Sequence, residues 1–225
     1  TNTLKPKKVR ALKEWNPGET DGQHPSVDLP LEYQVGKDAW EPLCTVTVNG
    51  EADENPAKPY YEYAPWRAVW EDLPVALPGS MLIDGKTHYR VVETVPDGYV
   101  QESEEKSADG DVYTYTFTNV EAVNFTVTKR WHVEDPANEI QMVKVQLYRT
   151  TNAQEKNPDV DVKVETVDLT GNSSHTFEDL PKYAPDGNLY TYYARETPEW
   201  GDGYDVYYSD ATDGTTIRNV GKTAI

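Results

Sequence analysis

Hydrophobic and polar residues alternate along several short stretches of the chain, with the period of two that is typical of β-strands. The clearest stretch runs from residue 125 to residue 131, where one set of positions is apolar and the intervening set is polar. Successive side chains of a strand point to opposite faces, so the apolar set predicts a buried face. That set consists of Phe125, Val127, Lys129 and Trp131, and it therefore includes a lysine.

A strand near the start of the chain repeats this pattern, with Lys13 in phase with Val9, Ala11 and Trp15. Leu12 falls on the opposite set, so the alternation is less clean there. Two acids and two amides also fall on apolar faces. They are Glu93 (with Tyr89 and Val91), Glu196 (with Tyr192 and Ala194), Asn119 (with Tyr115 and Phe117) and Asn219 (with Thr215 and Ile217).

These residues form two triplets in the same order, which indicates an internal repeat. Other landmarks recur in the same order as the triplets. The number of residues between the first and the second copy of a landmark decreases along the chain, because the first half has longer loops. A repeat of this length predicts two related domains, residues 1–121 and 122–225, not a short-period solenoid. The recurring landmarks are Glu71-Asp-Leu-Pro74 and Glu178-Asp-Leu-Pro181, Asp84-Gly85 and Asp186-Gly187, and Gly98-Tyr99 and Gly203-Tyr204.

Composition favours an all-β protein that works outside the cell. No stretch of ten residues carries an apolar stripe at helical period, and no apolar run is long enough to insert into a membrane. The net charge of −18 argues against nucleic acid as a partner, because phosphates would be repelled. The single cysteine excludes an intrachain disulfide, and the four scattered histidines give no metal-ligand spacing, so we expect neither metal nor cofactor.

A lysine in an apolar core has a chemical use when an acid and an amide accompany it. Desolvation lowers the pKa of the lysine and raises that of the glutamate, which favours proton transfer and leaves a free amine. The amine is a nucleophile that can add to the carbonyl carbon of the asparagine. A protonated glutamate would bond the carbonyl oxygen and shuttle protons until ammonia leaves. The expected product is an amide bond from a single-turnover reaction, not an enzyme acting on outside substrates.

The ordered set of motifs resembles the Cna B-type (CnaB) domain. The resemblance is close in the second repeat, at Lys129, Trp131, Asp179-Leu-Pro-Lys-Tyr183, Glu196 and Asn219, whereas the first repeat lacks the Lys-Tyr pair. It implies two tandem immunoglobulin-like β-sandwich domains from a surface adhesin or pilin of a Gram-positive bacterium. It also implies Lys–Asn isopeptide bonds, Lys13 with Asn119 and Lys129 with Asn219, with Glu93 and Glu196 as the catalytic residues.

The resemblance leads us to expect a structural stalk on the bacterial surface, in a parent protein anchored to the cell wall. Its partners would be neighbouring domains of the same protein, and the chain would be a monomer. An alternative is an adhesive module, in which the aromatic insertion of the first domain binds a host glycan or protein through Tyr61, Tyr63 and Trp66. A second alternative is that each lysine forms an ordinary ion pair at the edge of the core.

Overall fold

The computed structural model describes residues 7–17, 24–34, 39–51, 60–73, 88–132, 142–197 and 204–222. All regular structure in these ranges is β-strand, which confirms the predicted all-β class. The chain divides into two compact units, Thr1–Glu121 and Ala122–Ile225. Asp84-Gly85 and Gly203 lie outside the described residues. Within the described ranges, the structure contains no helix of the length and apolarity needed to cross a membrane.

The first unit contains two sheets. In one sheet the order is β7-β8-β1-β5-β4, in which β8 and β1 are parallel and the other pairs are antiparallel. In the other sheet the order is β3-β2-β6. The strands are β1 (Lys7–Asn16), β2 (Val27–Gln34), β3 (Trp40–Val48), β4 (Tyr60–Ala64), β5 (Arg67–Leu73), β6 (His88–Val91), β7 (Tyr99–Asp109) and the first part of β8 (Val112–His132).

The second unit has the same pairing scheme. One sheet has the order β13-β14-β8-β11, with β14 parallel to β8, and the other has the order β10-β9-β12. Its strands are the second part of β8, β9 (Met142–Thr150), β10 (Val162–Thr170), β11 (Ser174–Pro181), β12 (Thr191–Glu196), β13 (Tyr204–Ala211) and β14 (Gly214–Gly221). In each unit the buried apolar side chains come from both sheets.

Among the residues that the structure describes, the two units correspond strand for strand, except that the first has one additional strand. That strand, β4, is formed by the aromatic insertion and pairs with β5 at the edge of the sheet. The Glu-Asp-Leu motif has the same conformation in both units, since Asp72 and Asp179 each adopt a φ of 53° at a break in strand register. An aspartate tolerates this left-handed conformation better than most residues, so the repeated motif marks a repeated β-bulge.

The predicted buried faces of β1 and of the second part of β8 are confirmed. Val9 and Ala11 are fully buried beside Lys13, and Phe125 and Val127 are buried beside Lys129. One expectation needs correction, and one buried residue was not predicted. Glu93 lies two residues beyond the end of β6, although its side chain is buried as expected. Tyr193 belongs to the set opposite the core of β12, but it is also fully buried, because its hydroxyl donates to Asp161 and its ring stacks on Tyr148.

Candidate functional site: buried lysine, glutamate and asparagine

In the first unit, the parallel pairing of β1 and β8 brings Lys13 and Asn119 onto one buried face. Lys13 is opposite Phe117 and Asn119 is opposite Trp15, so the lysine and the asparagine are diagonal neighbours on adjacent strands. Glu93 reaches them from the other sheet, where it follows β6. The strands therefore deliver an amine, a carboxamide and a carboxyl group to one place in the core.

The three side chains of the first unit are in direct contact. The Lys13 Nζ atom lies 3.3 Å from Glu93 Oε1, and the same oxygen accepts a hydrogen bond of 2.9 Å from Asn119 Nδ2. The side chains of Lys13 and Glu93 have no exposed surface, and Asn119 is fully buried. Lys13 Nζ also donates to the carbonyl oxygens of Glu14 and Phe117, at 2.7 and 3.2 Å. One carboxyl oxygen thus bridges the amine and the carboxamide.

The second unit contains the same arrangement with a looser ion pair. Asn219 Nδ2 donates to Glu196 Oε1 at 3.1 Å, and Lys129 Nζ lies 4.0 Å from Glu196 Oε2. Lys129 and Asn219 are buried, and the Glu196 side chain is 5% exposed. In the parallel pair of β8 and β14, Ile217 is opposite Lys129 and Asn219 is opposite Trp131, which repeats the diagonal of the first unit.

Burial shifts the protonation equilibria of both pairs towards their neutral forms. Desolvation lowers the pKa of Lys13 from 10.5 to about 8, against the opposing effect of Glu93. Lys129 has its pKa lowered to about 8 by the same cause. The pKa values of Glu93 and Glu196 are raised, chiefly by burial, although the lysine and the asparagine each oppose the change. Transfer of one proton from lysine to glutamate removes both buried charges.

Each carboxyl group contacts the nitrogen of the carboxamide, whereas the sequence-based mechanism expects it at the carbonyl oxygen. The other carboxyl oxygen, Oε2, and the asparagine Oδ1 have no hydrogen-bond partner in either unit. Two buried acceptors without a donor are costly. A proton on the carboxyl group would supply the missing donor, and the observed contact would place the glutamate beside the nitrogen that leaves as ammonia.

Aromatic rings cover both lysines. Lys13 Nζ lies 4.3 Å from the ring centre of Trp15, and Lys129 Nζ lies 4.0 Å from that of Trp131. In the first unit Trp15 packs in turn against His24, Tyr99 and Trp66, and in the second unit Trp131 packs against Tyr204. These rings shield the amines from water, which supports the lowered lysine pKa values.

Sequence reasoning missed a group that fixes the backbone beside Lys13. The Glu62 carboxylate is buried and accepts hydrogen bonds from the backbone N–H groups of Asn49, Gly50 and Trp66, at 3.1, 3.2 and 2.8 Å. These bonds hold Trp66 at a φ of 59°, and the Trp66 carbonyl accepts the Lys13 backbone N–H at 2.8 Å. The exposed-looking Tyr-Glu-Tyr sequence around Glu62 gave no sign of this role.

In the second unit the corresponding turn uses an asparagine. The Ser173 carbonyl accepts the Lys129 backbone N–H at 2.7 Å, and Asn172 Oδ1 accepts the Trp131 backbone N–H at 2.6 Å. Both lysines are therefore held by a backbone contact to the turn that precedes the neighbouring strand. The Gly171-Asn172 pair is a turn signal that sequence reasoning could have used.

The aromatic insertion does not present Trp66 to solvent. Trp66 is 5% exposed and packs edge-on against Trp15, so a ligand could reach it only by displacing core packing. Tyr61 and Tyr63 are half-buried on β4. In the described fold the insertion widens the sheet and covers the lysine site, and the contact of Tyr61, Tyr63 and Trp66 with a ligand stays a prediction.

The lowered lysine pKa predicts a pH-dependent stability when the amide bond cannot form. In an Asn219→Ala variant, we expect the free energy of unfolding of the second unit to rise between pH 8 and pH 10.5, by up to about 3 kcal/mol. In that window the unfolded lysine keeps its proton while the buried lysine loses it, so raising the pH favours the folded state. Below pH 8 the lysine is protonated in both states, so its contribution no longer changes with pH and the full cost of the buried ammonium remains.

The measurement is urea unfolding of the full chain at several pH values. Unfolding of the second unit is monitored by hydrogen exchange in peptides from residues 142–197. The matched control is Asn219→Ala combined with Lys129→Met, which keeps the other titrating groups. A pH profile that is the same in the variant and in its control would contradict a neutral buried Lys129.

The described residues contain no group of three or more His, Cys, Asp or Glu side chains arranged to hold a metal ion. Residues 125–220 match the family model of the Cna protein B-type domain. No curated protein matches the chain. Among solved structures, a single B repeat unit (B1) of the collagen-binding surface protein of Staphylococcus aureus is 21% identical and has a TM-score of 0.36, covering 97% of this chain and 100% of that one.

Two pilus proteins of Lactobacillus rhamnosus GG are also similar. A mutant of the shaft pilin SpaA is 14% identical with a TM-score of 0.32, covering 97% of this chain and 100% of that one. The pilus adhesin SpaC is 12% identical with a TM-score of 0.31, covering 96% of this chain and 29% of that one. At these identities and TM-scores, the likenesses to solved structures assign no function.

Proposed function

We propose that the chain is a structural stalk segment of a bacterial surface adhesin or pilus-type protein, because residues 125–220 match the family model of the Cna protein B-type domain. It consists of two tandem immunoglobulin-like domains, residues 1–121 and 122–225. Each domain is locked by a self-formed amide bond, Lys13 with Asn119 and Lys129 with Asn219. The parent protein is anchored in the Gram-positive cell wall, and the partners of the segment are its neighbouring domains.

The observation that carries this proposal is the convergence of a lysine, a glutamate and an asparagine in the core of both units. Each lysine pKa is lowered to about 8, and each glutamate pKa is raised. A buried ion pair contributes little to the stability of a core, because the cost of desolvating two charges often exceeds their attraction, and apolar residues of similar volume often stabilise the core more. Retention of the same triplet in both repeats is better explained by a reaction that consumes the charges.

The reaction starts with proton transfer from the lysine ammonium to the glutamate. The free Nζ then attacks Cγ of the asparagine, forming the Nζ–Cγ bond. The glutamate takes one proton from the attacking nitrogen and gives one to Nδ2, the Cγ–Nδ2 bond breaks, and ammonia leaves. Contact of Glu93 Oε1 with both Lys13 Nζ and Asn119 Nδ2 fits this proton shuttle. The reaction occurs once per domain, and the chain has no turnover.

The amide bond joins the first strand of each unit to its last strand. Lys13 and Lys129 lie on β1 and β8, and Asn119 and Asn219 lie on the parallel neighbours that close each unit. Tension applied to the chain ends loads these two strands, and the bond carries that tension past all the intervening residues. A module of this kind is suited to a surface stalk that must resist shear and proteolysis.

The proposal is tested by the intact mass of the purified chain under denaturing conditions. We expect a mass lower than that of the sequence by two molecules of ammonia. The deficit should fall to one in Glu196→Ala and in Glu93→Ala, because each variant lacks the proton carrier of one unit. The matched control is Glu165→Ala, an exposed acid on β10, which should retain the full deficit. An unmodified wild-type mass would refute the proposal.

A further inference from the structure

Two arginines lie directly opposite each other on the outward face of the second unit. Arg130 on β8 pairs with Arg218 on β14 in the parallel register, and both side chains are exposed. Like charges opposite each other on adjacent strands destabilise a sheet. The pair therefore has a cost that the fold of this unit does not explain.

Neither guanidinium is neutralised by a carboxylate of the described residues. Arg218 makes no hydrogen bond or ion pair with any described residue, and Arg130 donates only to the carbonyl oxygen of the preceding Lys129, at 3.1 Å. Both arginines line a groove of about 560 Å³. The remaining lining residues carry no negative charge, and they are Trp131, His132, Thr216 and Val220.

The equivalent positions of the first unit do not carry a pair of arginines. Its corresponding pair is Glu14 opposite Thr118, one residue after Lys13 and one before Asn119. Further along the strand, Asn16 donates to the Glu102 carboxylate at 3.0 Å. The repeated sheet therefore folds without the arginine pair, and of the two equivalent positions only that of the second unit carries two arginines, on a chain whose net charge is −18.

We propose that this groove binds an extended acidic peptide segment of a partner protein, with carboxylates at alternate positions. Arg130 and Arg218 lie side by side on adjacent strands, about 4.7–4.9 Å apart, and along each strand the outward-facing groove residues recur every second position, about 6.6–6.8 Å apart. Alternate side chains of an extended peptide share one face and have the same spacing. Each guanidinium offers the planar, forked donor that matches a carboxylate, while His132 and Thr216 supply further polar contacts.

The net charge of the whole chain does not prevent such binding. At physiological ionic strength the screening length is about 8 Å, so a ligand in the groove responds chiefly to the charges that line it. The nearest acid on the adjacent strand, Asp205, lies opposite Val220 and has Lys222 at 3.5 Å as its own partner. Among the described residues, the charged side chains that line the groove are therefore positive, and affinity should fall as the salt concentration rises.

The test is fluorescence polarisation of the full chain with a labelled synthetic peptide in which glutamate alternates with threonine. We expect saturable binding that weakens at least tenfold in Arg130→Glu combined with Arg218→Thr, which installs the residues of the first unit. Arg218→Thr alone should weaken binding about fivefold. The matched control is Lys163→Thr, an exposed lysine on β10, and it should bind like the wild-type chain.

A second peptide of the same composition, with its glutamates in one block, tests the spacing and should bind at least fivefold more weakly. Absence of wild-type binding, or equal binding by the double variant, would overturn the proposal. A sulfated oligosaccharide serves as the competing ligand class. If the oligosaccharide requires the arginine pair and the alternating peptide does not bind, the assignment to an acidic peptide is wrong.

Discussion

Replacement of Lys129 by methionine is expected to lower the melting temperature of the second unit by roughly 15–40 °C. The amide bond closes a loop of about 90 residues, which chain-entropy reasoning values at about 4–5 kcal/mol. For a unit of this size, each kcal/mol corresponds to roughly 4–8 °C. Methionine retains the apolar stem of the lysine and removes its charge, so the loss reports the missing bond and not an unpaired buried ammonium.

Replacing both partners separates the covalent account from its main rival. If Lys129 and Glu196 formed only a buried ion pair, Lys129→Met combined with Glu196→Leu would be close to neutral or stabilising, whereas Lys129→Met alone would be destabilising because it leaves Glu196 without its partner. The covalent account predicts that the double variant loses stability as Lys129→Met does, so the two accounts predict opposite results for the double variant in calorimetry of the full chain. Lys144→Met, an exposed lysine on β9, is the matched control and should change the melting temperature by a few degrees at most. A Lys129→Met variant with the same melting temperature as the Lys144→Met control would contradict the covalent account.

Pulling on the two ends of the chain is expected to produce no extension from the residues enclosed by either bond. In Lys129→Met, unfolding of the second unit should release roughly 300 Å, since about 90 residues extend by about 3.3 Å each. In Lys13→Met, the first unit should release roughly 350 Å in the same way, because about 106 residues separate Lys13 from Asn119. In each single variant the unit that keeps its lysine serves as the internal control.

Single-molecule force spectroscopy measures these lengths directly. Wild-type traces that contain unfolding steps of either length would show that the strands are not covalently joined. A variant that released the expected length from both units would show that neither bond had formed. The contour length thus tests each unit separately within one molecule.

Strand parity was sufficient to predict most of the candidate site. An alternating apolar set fixed the buried face of β1 and of the second part of β8, and it placed Lys13 and Lys129 there before any contact was known. The repeat then paired each lysine with an acid and an amide. This reasoning succeeds because the period of two is a local property of the backbone, and it needs no knowledge of which strands are neighbours.

Tertiary contacts account for what the sequence did not predict. Tyr193 is buried on the outer face of β12, where its hydroxyl donates to Asp161 and an ion pair joins Arg195 to Asp210. The segment between β9 and β10, which includes Asp161, is polar, and its sequence did not predict that it would cover this face. The burial of Trp66 depends on the three hydrogen bonds to Glu62. Two of them come from the backbone of Asn49 and Gly50, on a separate segment, and the third closes the turn from Glu62 to Trp66. Alternation along one strand carries no information about such contacts.

The most direct test of the central claim is peptide mapping of the digested wild-type chain by tandem mass spectrometry. We predict two branched peptides, one joining the Lys13 and Asn119 segments and one joining the Lys129 and Asn219 segments. Each should be lighter by one ammonia than the sum of its two linear peptides, with fragments that place the link on the lysine Nζ. Recovery of all four residues in linear, unmodified peptides would contradict the account.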